Sequence, residues 1–522
     1  MKQEAHMANS FGLQNPLELC LNKARSEFTR SDILRVIEEM KIEFLSFHYT
    51  GLDGKLKALR LPVQNREQVQ ELLAEGERAD GSSLFRGLVD TACSDLYVVP
   101  VYRTAFLNPF SENTLGIMCR FFDRDGNLAS FALGTILHEA SRLLKDSTGL
   151  SLHALGELEF FLLYRPDTED GEHYPLPMQS GYHATGPFVK NGAIVEEMVR
   201  HISRITGSVK YAHSEVGVIR NLASNIPEID GRFGEQWEIE FLPAPVADMA
   251  DDLVIAKWIV RNVAQQHGCI ATFAPKLEEG VAGNGFHFHM MLKDGDKNVM
   301  VEDDGSLSSS AKQLIGGICH YADSLTAFGN TVSSAYLRLV PGQEAPTRVC
   351  WSDLNRTAMI RVPLGWQTVH ELAGNLNPRG ENDSLSGKSR QTVELRTADG
   401  SALIHLILSG ITMAAQWGLT HMEESLQIAE QLYLPVADSR KKDFLDQLPP
   451  LPRSCVESAR VLRENAGLYT RDGIFPQSIL QYMIELLKSE DDENMNQRLT
   501  SMPADQRLNE SLKIMHGNLH RH

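Results

Sequence analysis

The chain has 522 residues, 42% hydrophobic and 23% charged, the composition of an ordinary globular protein long enough for more than one domain. Its formal net charge of -18 argues against a nucleic-acid partner, which needs a basic surface. The seven cysteines are widely spaced and lack a CxxC pair, which disfavours a disulfide framework or thiolate zinc site and fits a reducing cytoplasm.

Residues 1–30 read as a polar, irregular extension without the apolar stretch of a signal peptide. Ser31 is expected to cap a short helix carrying Ile33, Leu34, Ile37 and Met40. Between residues 43 and 63, two alternating runs flank Gly51-Leu52-Asp53-Gly54, a β-hairpin signal. The polar ADGSS stretch follows at 79–83, and the DRDGN turn at 123–127 closes a small mixed domain, 31–127. A larger domain, 128–490, is expected to carry helices at 130–145, 193–206, 250–267, 311–328 and 402–419. Short period-two strands lie between them, so the class is α+β. The most apolar stretch, 401–419, contains His405, Ser409 and Gln416 and reads as a buried helix rather than a membrane span. Residues 491–522 are acidic, then polar, and are expected to form a mobile tail.

Several strand-like runs put an apolar set on one face and acid or imidazole on the other. GELEFFLL sets Gly156, Leu158, Phe160 and Leu162 opposite Glu157 and Glu159. GFHFHMML sets Phe286 and Phe288 opposite His287 and His289. QWEIEF presents Glu238 and Glu240 together, QTVELR presents Glu394 and Arg396, and YAHSEV presents His213 and Glu215. Any one such run is also an ordinary half-solvated strand. Taken together they imply more: carboxylates repel one another, and several acids beside an imidazole are tolerable where divalent cations sit among them. That ligand mixture suits Mg²⁺ or Mn²⁺ better than zinc.

A basic segment, 338–363, holds Arg338, Arg348, Arg356 and Arg361 among Gly and Pro turns. Guanidinium groups beside divalent cations suit phosphoryl transfer, although surface arginines on a loop read the same way in isolation. GVAGNGFH, from Gly280, matches neither a P-loop nor a dinucleotide fingerprint, so any ATP is held by other means.

In this order the motifs resemble the glutamine synthetase family of the bacterial class I type, over roughly residues 40–490. ADGSS resembles its ammonium-site loop, GELEFF its first acidic strand and NGFHFH its Gly-rich strand. RLVPGQEAP and NRTAMIRVP resemble its flap and arginine strand, and VELRTADGSA its last acidic strand. The resemblance implies a small β-grasp domain, then a catalytic domain of antiparallel sheet with flanking helices. It also implies active sites between subunits of a homo-oligomeric ring, a hexamer or two stacked as a dodecamer. The implied partners are L-glutamate, ammonia and ATP with two Mg²⁺ or Mn²⁺ ions, and the implied product is L-glutamine, formed through γ-glutamyl phosphate.

By motif, Glu159, Glu215 and Glu238 would bind one metal, and Glu157, His287 and Glu394 the other. Arg356 and Arg361 would steady the transferred phosphoryl group, with His289 near the nucleotide phosphates. Arg338, Arg396 and Gly283 would serve glutamate. Asp80 from a neighbouring subunit and Glu344 on the flap, with Tyr182 and Ser83 beside them, would hold and deprotonate ammonium. The chain departs from the family pattern at Ala282, where a glutamate-holding Asn is usual, and at Met291, where Ser is frequent. It carries Asp446 near the place where some relatives have a modifiable tyrosine. Two further readings are a γ-glutamyl ligase for a larger amine, such as a polyamine or methylamine, and a catalytically inactive structural relative.

Overall fold

The computed structural model describes residues 11–166, 173–341, 345–365, 372–377, 389–436 and 445–521. Among them the strands form two sheets. The smaller comprises β1 (Phe44–Thr50), β2 (Leu56–Pro62), β3 (Glu77–Asp80), β4 (Asp95–Pro100), β5 (Phe106–Leu107) and β6 (Thr114–Phe122), in the order β2-β1-β6-β4-β3 with β5 on β6. The expected hairpin is β1–β2, antiparallel from Phe44↔Pro62 to Thr50↔Leu56. β1 runs parallel to β6.

The larger sheet builds the site. It comprises β7 (Ser151–Tyr164), β8 (Val209–Ile219), β9 (Phe233–Phe241), β10 (Ala244–Pro245), β11 (Ile270–Thr272), β12 (Phe286–Asp294), β13 (Lys297–Asn298), β14 (Trp351–Asp353), β15 (Ile360–Val362) and β16 (Val393–Leu395). The order is β14-β15-β16-β12-β7-β9-β8, antiparallel except for the β14–β15 pair. Leu158, Phe160, Ile239, Phe286 and Phe288 are fully buried on one face, and Leu253 of the helix Val246–Gln266 packs there. The five long helices lie at Leu133–Thr148, Gly192–Thr206, Val246–Gln266, Ser309–Gly329 and Ile404–Thr420, close to their expected places. The last buries His405, Ser409 and Gln416 within the core. Among the described residues no helix is long and apolar enough to cross a membrane.

Three expectations need correction. Thr29, not Ser31, caps the first long helix, Arg30–Glu39. Its third helical residue is Asp32, whose carboxylate accepts from Thr29 N at 2.7 Å and closes a reciprocal box, whereas Leu34 could not do so for Ser31. Within the expected extension, Pro16–Leu21 is a helix capped by Asn15, and its one-turn spacing buries Leu17 and Leu21 together. The expected tail carries helices at Met495–Ser501 and Ala504–Gly517. Met495, Leu499, Met515 and Leu519 bury their side chains, and the Leu519 carbonyl accepts from Thr272 Oγ1 of β11 at 2.8 Å. A few apolar residues in a polar stretch are enough to dock it.

A buried ion pair joins the two sheets' layers. Arg120 of β6 donates to Asp251 of the helix Val246–Gln266 at 2.6 Å, and His405 lies 3.2 Å from the other oxygen of Asp251. Burial opposes ionisation of Asp251, but Arg120 and the His405 hydrogen bond outweigh it and hold the carboxyl below its usual range. With a depressed folded pKa, the contribution is present above the unfolded carboxylate pKa of about 4 and lost as pH falls further. Arg120→Met leaves a buried carboxylate without its main partner and should destabilise the fold by about 3 kcal/mol at pH 7. A denaturation midpoint equal to that of the wild type would refute this.

Candidate active site

The register of the larger sheet decides which side chains meet. β7 sets Glu157 opposite both His287 of β12 and Glu240 of β9, and Glu159 opposite Glu238. β16 sets Glu394 opposite His289, β15 sets Arg361 opposite Glu394, and β8 sets His213 opposite Glu238. These residues therefore share the face that the apolar set does not occupy.

That face floors a cavity of ≈ 680 Å³. Of the expected residues, Glu157, Glu159, Glu215, Glu238, His287, His289, Tyr182, Gly283, Arg338, Arg356, Arg361 and Arg396 line it. Glu394 is fully buried and accepts hydrogen bonds from both Arg361, at 2.8 Å, and Arg396. Asp80 and Ser83 are elsewhere, at the β3 edge of the smaller sheet. There the Asp80 carboxylate accepts from Ser82 N at 2.9 Å and Ser83 Oγ at 2.5 Å. Glu344 lies outside the described residues.

Two kinds of electrostatic environment share the cavity. Glu157 accepts from His287 Nδ1 at 2.7 Å and His289 Nε2 at 2.9 Å. Burial works against its charge, but the two imidazoles outweigh burial and hold its carboxyl well below the usual range. Glu394 is likewise held low, with burial outweighed by His289 and Arg396. His287 is pushed down to about 4 by burial and then by Arg396, so it is neutral and carries a lone pair for coordination. Glu159 and Glu238 behave oppositely: burial, then neighbouring carboxylates, pushes both well above the usual range.

Among the described residues, three sets offer ligand atoms within 4.8 Å of one another: Glu157, His287 and Glu394; His213, Glu215 and Glu238; and Glu157, Glu238 and Glu240. Carboxylate-rich sets with one imidazole fit a hard divalent cation such as Mg²⁺ or Mn²⁺. The first set is the expected one. In the second, His213 stands where Glu159 was expected, with Nε2 at 3.3 Å from Glu238. Glu159 lies nearby, accepting from Gly285 N at 2.9 Å and Gln236 Nε2 at 3.1 Å. A Cβ at Gly285 would come within 2.6 Å of His287 Nε2 and 2.8 Å of Glu159 Oε1, so a larger residue there would displace both side chains.

Sequence reasoning put His213 and Glu240 on acidic strand faces without giving them a role and left out Gln236 and Lys210; all four line the cavity. Period two alone flags His213 and Glu240, each two residues from an expected ligand. Gln236 and Lys210 carry no comparable signal.

A family model of the glutamine synthetase catalytic domain matches residues 135–506, and one of the glutamine synthetase beta-grasp domain matches 41–124. The chain belongs to the glutamine synthetase family. It is 28% identical to glutamine synthetase of Aquifex aeolicus over 493 residues, 90% of this chain and 96% of that protein. It is 29% identical to the Thermotoga maritima enzyme, covering 83% and 90%. Among solved structures, Plasmodium falciparum glutamine synthetase superposes with TM-score 0.70 at 20% identity, covering 92% of this chain and 98% of that one. The GmaS/ADP complex superposes with TM-score 0.67 at 20% identity, covering 91% and 98%. These two likenesses establish the fold, and the family assignment makes the chain a ligase.

Glu157 belongs to two of the three ligand sets, so Glu157→Gln should weaken Mn²⁺ binding by about tenfold or more. Calorimetric titration that returns the wild-type isotherm would exclude these carboxylates as ligands.

Proposed function

We propose that this glutamine synthetase family member makes L-glutamine, joining ammonia to the γ-carboxylate of L-glutamate at the expense of ATP. The observation that carries this reading is a single cavity in which acidic and imidazole sets adjoin Arg338, Arg356, Arg361 and Arg396. Phosphoryl transfer between two anions demands such a mixture. Two divalent cations, Mg²⁺ or Mn²⁺, one held by Glu157, His287 and Glu394 and the other by Glu159, Glu215 and Glu238 with His213 beside them, would supply charge neutralisation for the reacting oxygens.

Arg338 and Gly283 receive glutamate at one end of the cavity. The γ-carboxylate attacks the terminal phosphate of ATP and ADP leaves, with Arg356 and Arg361 steadying the transferred group. Arg396 braces this arrangement, since its Nε donates to the Arg356 carbonyl at 3.0 Å. Ammonia then displaces phosphate from γ-glutamyl phosphate, giving glutamine. Tyr182, Glu344 and a neighbouring subunit's Asp80 and Ser83 would hold ammonium and take its proton. Every described lining residue falls between 157 and 396, so within one chain the domain proposed at 31–127 adds nothing to the cavity. A ring in which that domain closes the next subunit's site fits this division.

A larger acceptor amine is the second reading. It is favoured by a wall of rings lining the cavity: Tyr182 lies 5.4 Å and Tyr211 5.7 Å from His213. Such a wall attracts an alkylammonium ion through its π faces. Phosphate release with ATP and glutamate, measured with ammonium and in parallel with methylamine and putrescine, distinguishes the two. Ammonium should give the highest kcat/KM, and a preference for either amine would overturn the glutamine assignment. Glu394→Ala should lower turnover by about 100-fold or more while leaving the oligomer's elution volume unchanged. Near-normal turnover would instead remove Glu394 from the reacting centre.

A further inference from the structure

Lys210 is the only lysine lining the cavity among the described residues. The four arginines belong to the segment at 338–361 and to Arg396, whereas the wall made by β8 and β9 presents Glu215, Glu238 and Glu240. A polyphosphate lying between these walls meets positive charge on one side and carboxylates on the other. Lys210 is the single fixed cation on the acidic side.

Its placement is built into the strand. β8 pairs with β9 with two register shifts, one between Ser214 and Val218 and one between Val209, opposite Phe241, and Tyr211, opposite Glu240. Lys210 is the extra residue. Strict alternation would put it on the face of Ala212 and Ser214, but a bulge re-aims a side chain. Here the ammonium reaches Glu240 at 2.7 Å and lies 4.9 Å over the Tyr211 ring. Glu240 is buried at 3% side-chain exposure, while Lys210 is 42% exposed. A half-exposed lysine can turn its ammonium from Glu240 to a neighbouring anion, and its compact charge on a flexible stem suits phosphate.

The position along the cavity agrees. Gly283, Gly285 and Arg338 mark one end, where glutamate is placed above. Glu240 stands opposite Glu157, one pair further along β7 than Glu238 opposite Glu159, toward His289. In the ATP reading above, His289 lies near the nucleotide phosphates, so this is the direction leading away from the glutamate end.

We propose that Lys210, held ready by Glu240 at a bulge in β8, binds a non-transferred phosphate of the nucleotide by moving from Glu240 onto it. The inference rests on the ATP reading above. The test is calorimetric titration of ADP with saturating Mg²⁺ into the full-length protein, with KM for glutamate measured in parallel. Lys210→Met should weaken ADP by about tenfold, the equivalent of one charge-assisted contact, and leave the glutamate KM unchanged. Lys210→Arg should restore most of the affinity. Glu240→Gln frees the lysine and removes a repelling charge, so it should bind ADP more tightly than the wild type. A merely structural pair would instead lose affinity equally in Lys210→Met and Glu240→Gln, and that result overturns the proposal, as does wild-type ADP affinity in Lys210→Met. Wild-type protein that binds no ADP at all overturns the ATP reading and the proposal with it.

Discussion

Crowding of carboxylates on one sheet face is the constraint on which the rest of the structure depends. Glu157, Glu159, Glu238, Glu240 and Glu394 are all removed from bulk water, and neighbouring charges of like sign in a low dielectric are strongly unfavourable. The protein answers unevenly. Around Glu157 and Glu394 it supplies imidazole and guanidinium partners, and both acids stay ionised. Around Glu159 and Glu238 it supplies backbone and amide donors and one histidine, and both are driven toward the protonated form. One half of the floor is thus balanced internally, while the other is poised for an added positive charge.

Such a floor needs rigid support, because carboxylates that repel would otherwise move apart. The support is the opposite face of the same strands, where Leu158, Phe160, Phe286 and Phe288 are fully buried against the core. A one-residue slip of β7 or β12 would bury the acids among these aromatics, a penalty of several kcal/mol per charge. The apolar pattern therefore fixes the register, and the register brings Glu157, His287 and Glu240 to one level.

Much of this was legible in the sequence, since alternation of period two is a local property. The faces of GELEFF, GFHFH and QWEIEF follow from counting, as does the hairpin about Gly51–Gly54. What alternation does not encode is which strands are neighbours. β16 begins at Val393, far beyond the end of β12 at Asp294, and still pairs with it, bringing Glu394 to His289. Resemblance to a known family supplied that convergence. Local irregularity escaped both routes: the bulge at Lys210 reverses the face that counting assigns to it. The terminal helices escaped for another reason. Leu17 and Leu21 lie in a helix of only six residues, and Leu519 is an isolated apolar residue whose partner Thr272 is distant in sequence, so both neighbourhoods read as polar and loose.

The clasp between Leu519 and Thr272 has a bearing on biogenesis. β11, which it secures, is bonded directly to β7, the strand that carries Glu157 and Glu159. A nascent chain on the ribosome therefore lacks the last brace of this sheet until the segment near residue 519 has emerged, long after the acids themselves. Pairings of such wide sequence separation form slowly and leave unpaired strand edges exposed in the interval. Chaperone dependence during synthesis is a natural corollary of a sheet in which an acid-bearing strand is braced through a segment far downstream of it in the chain.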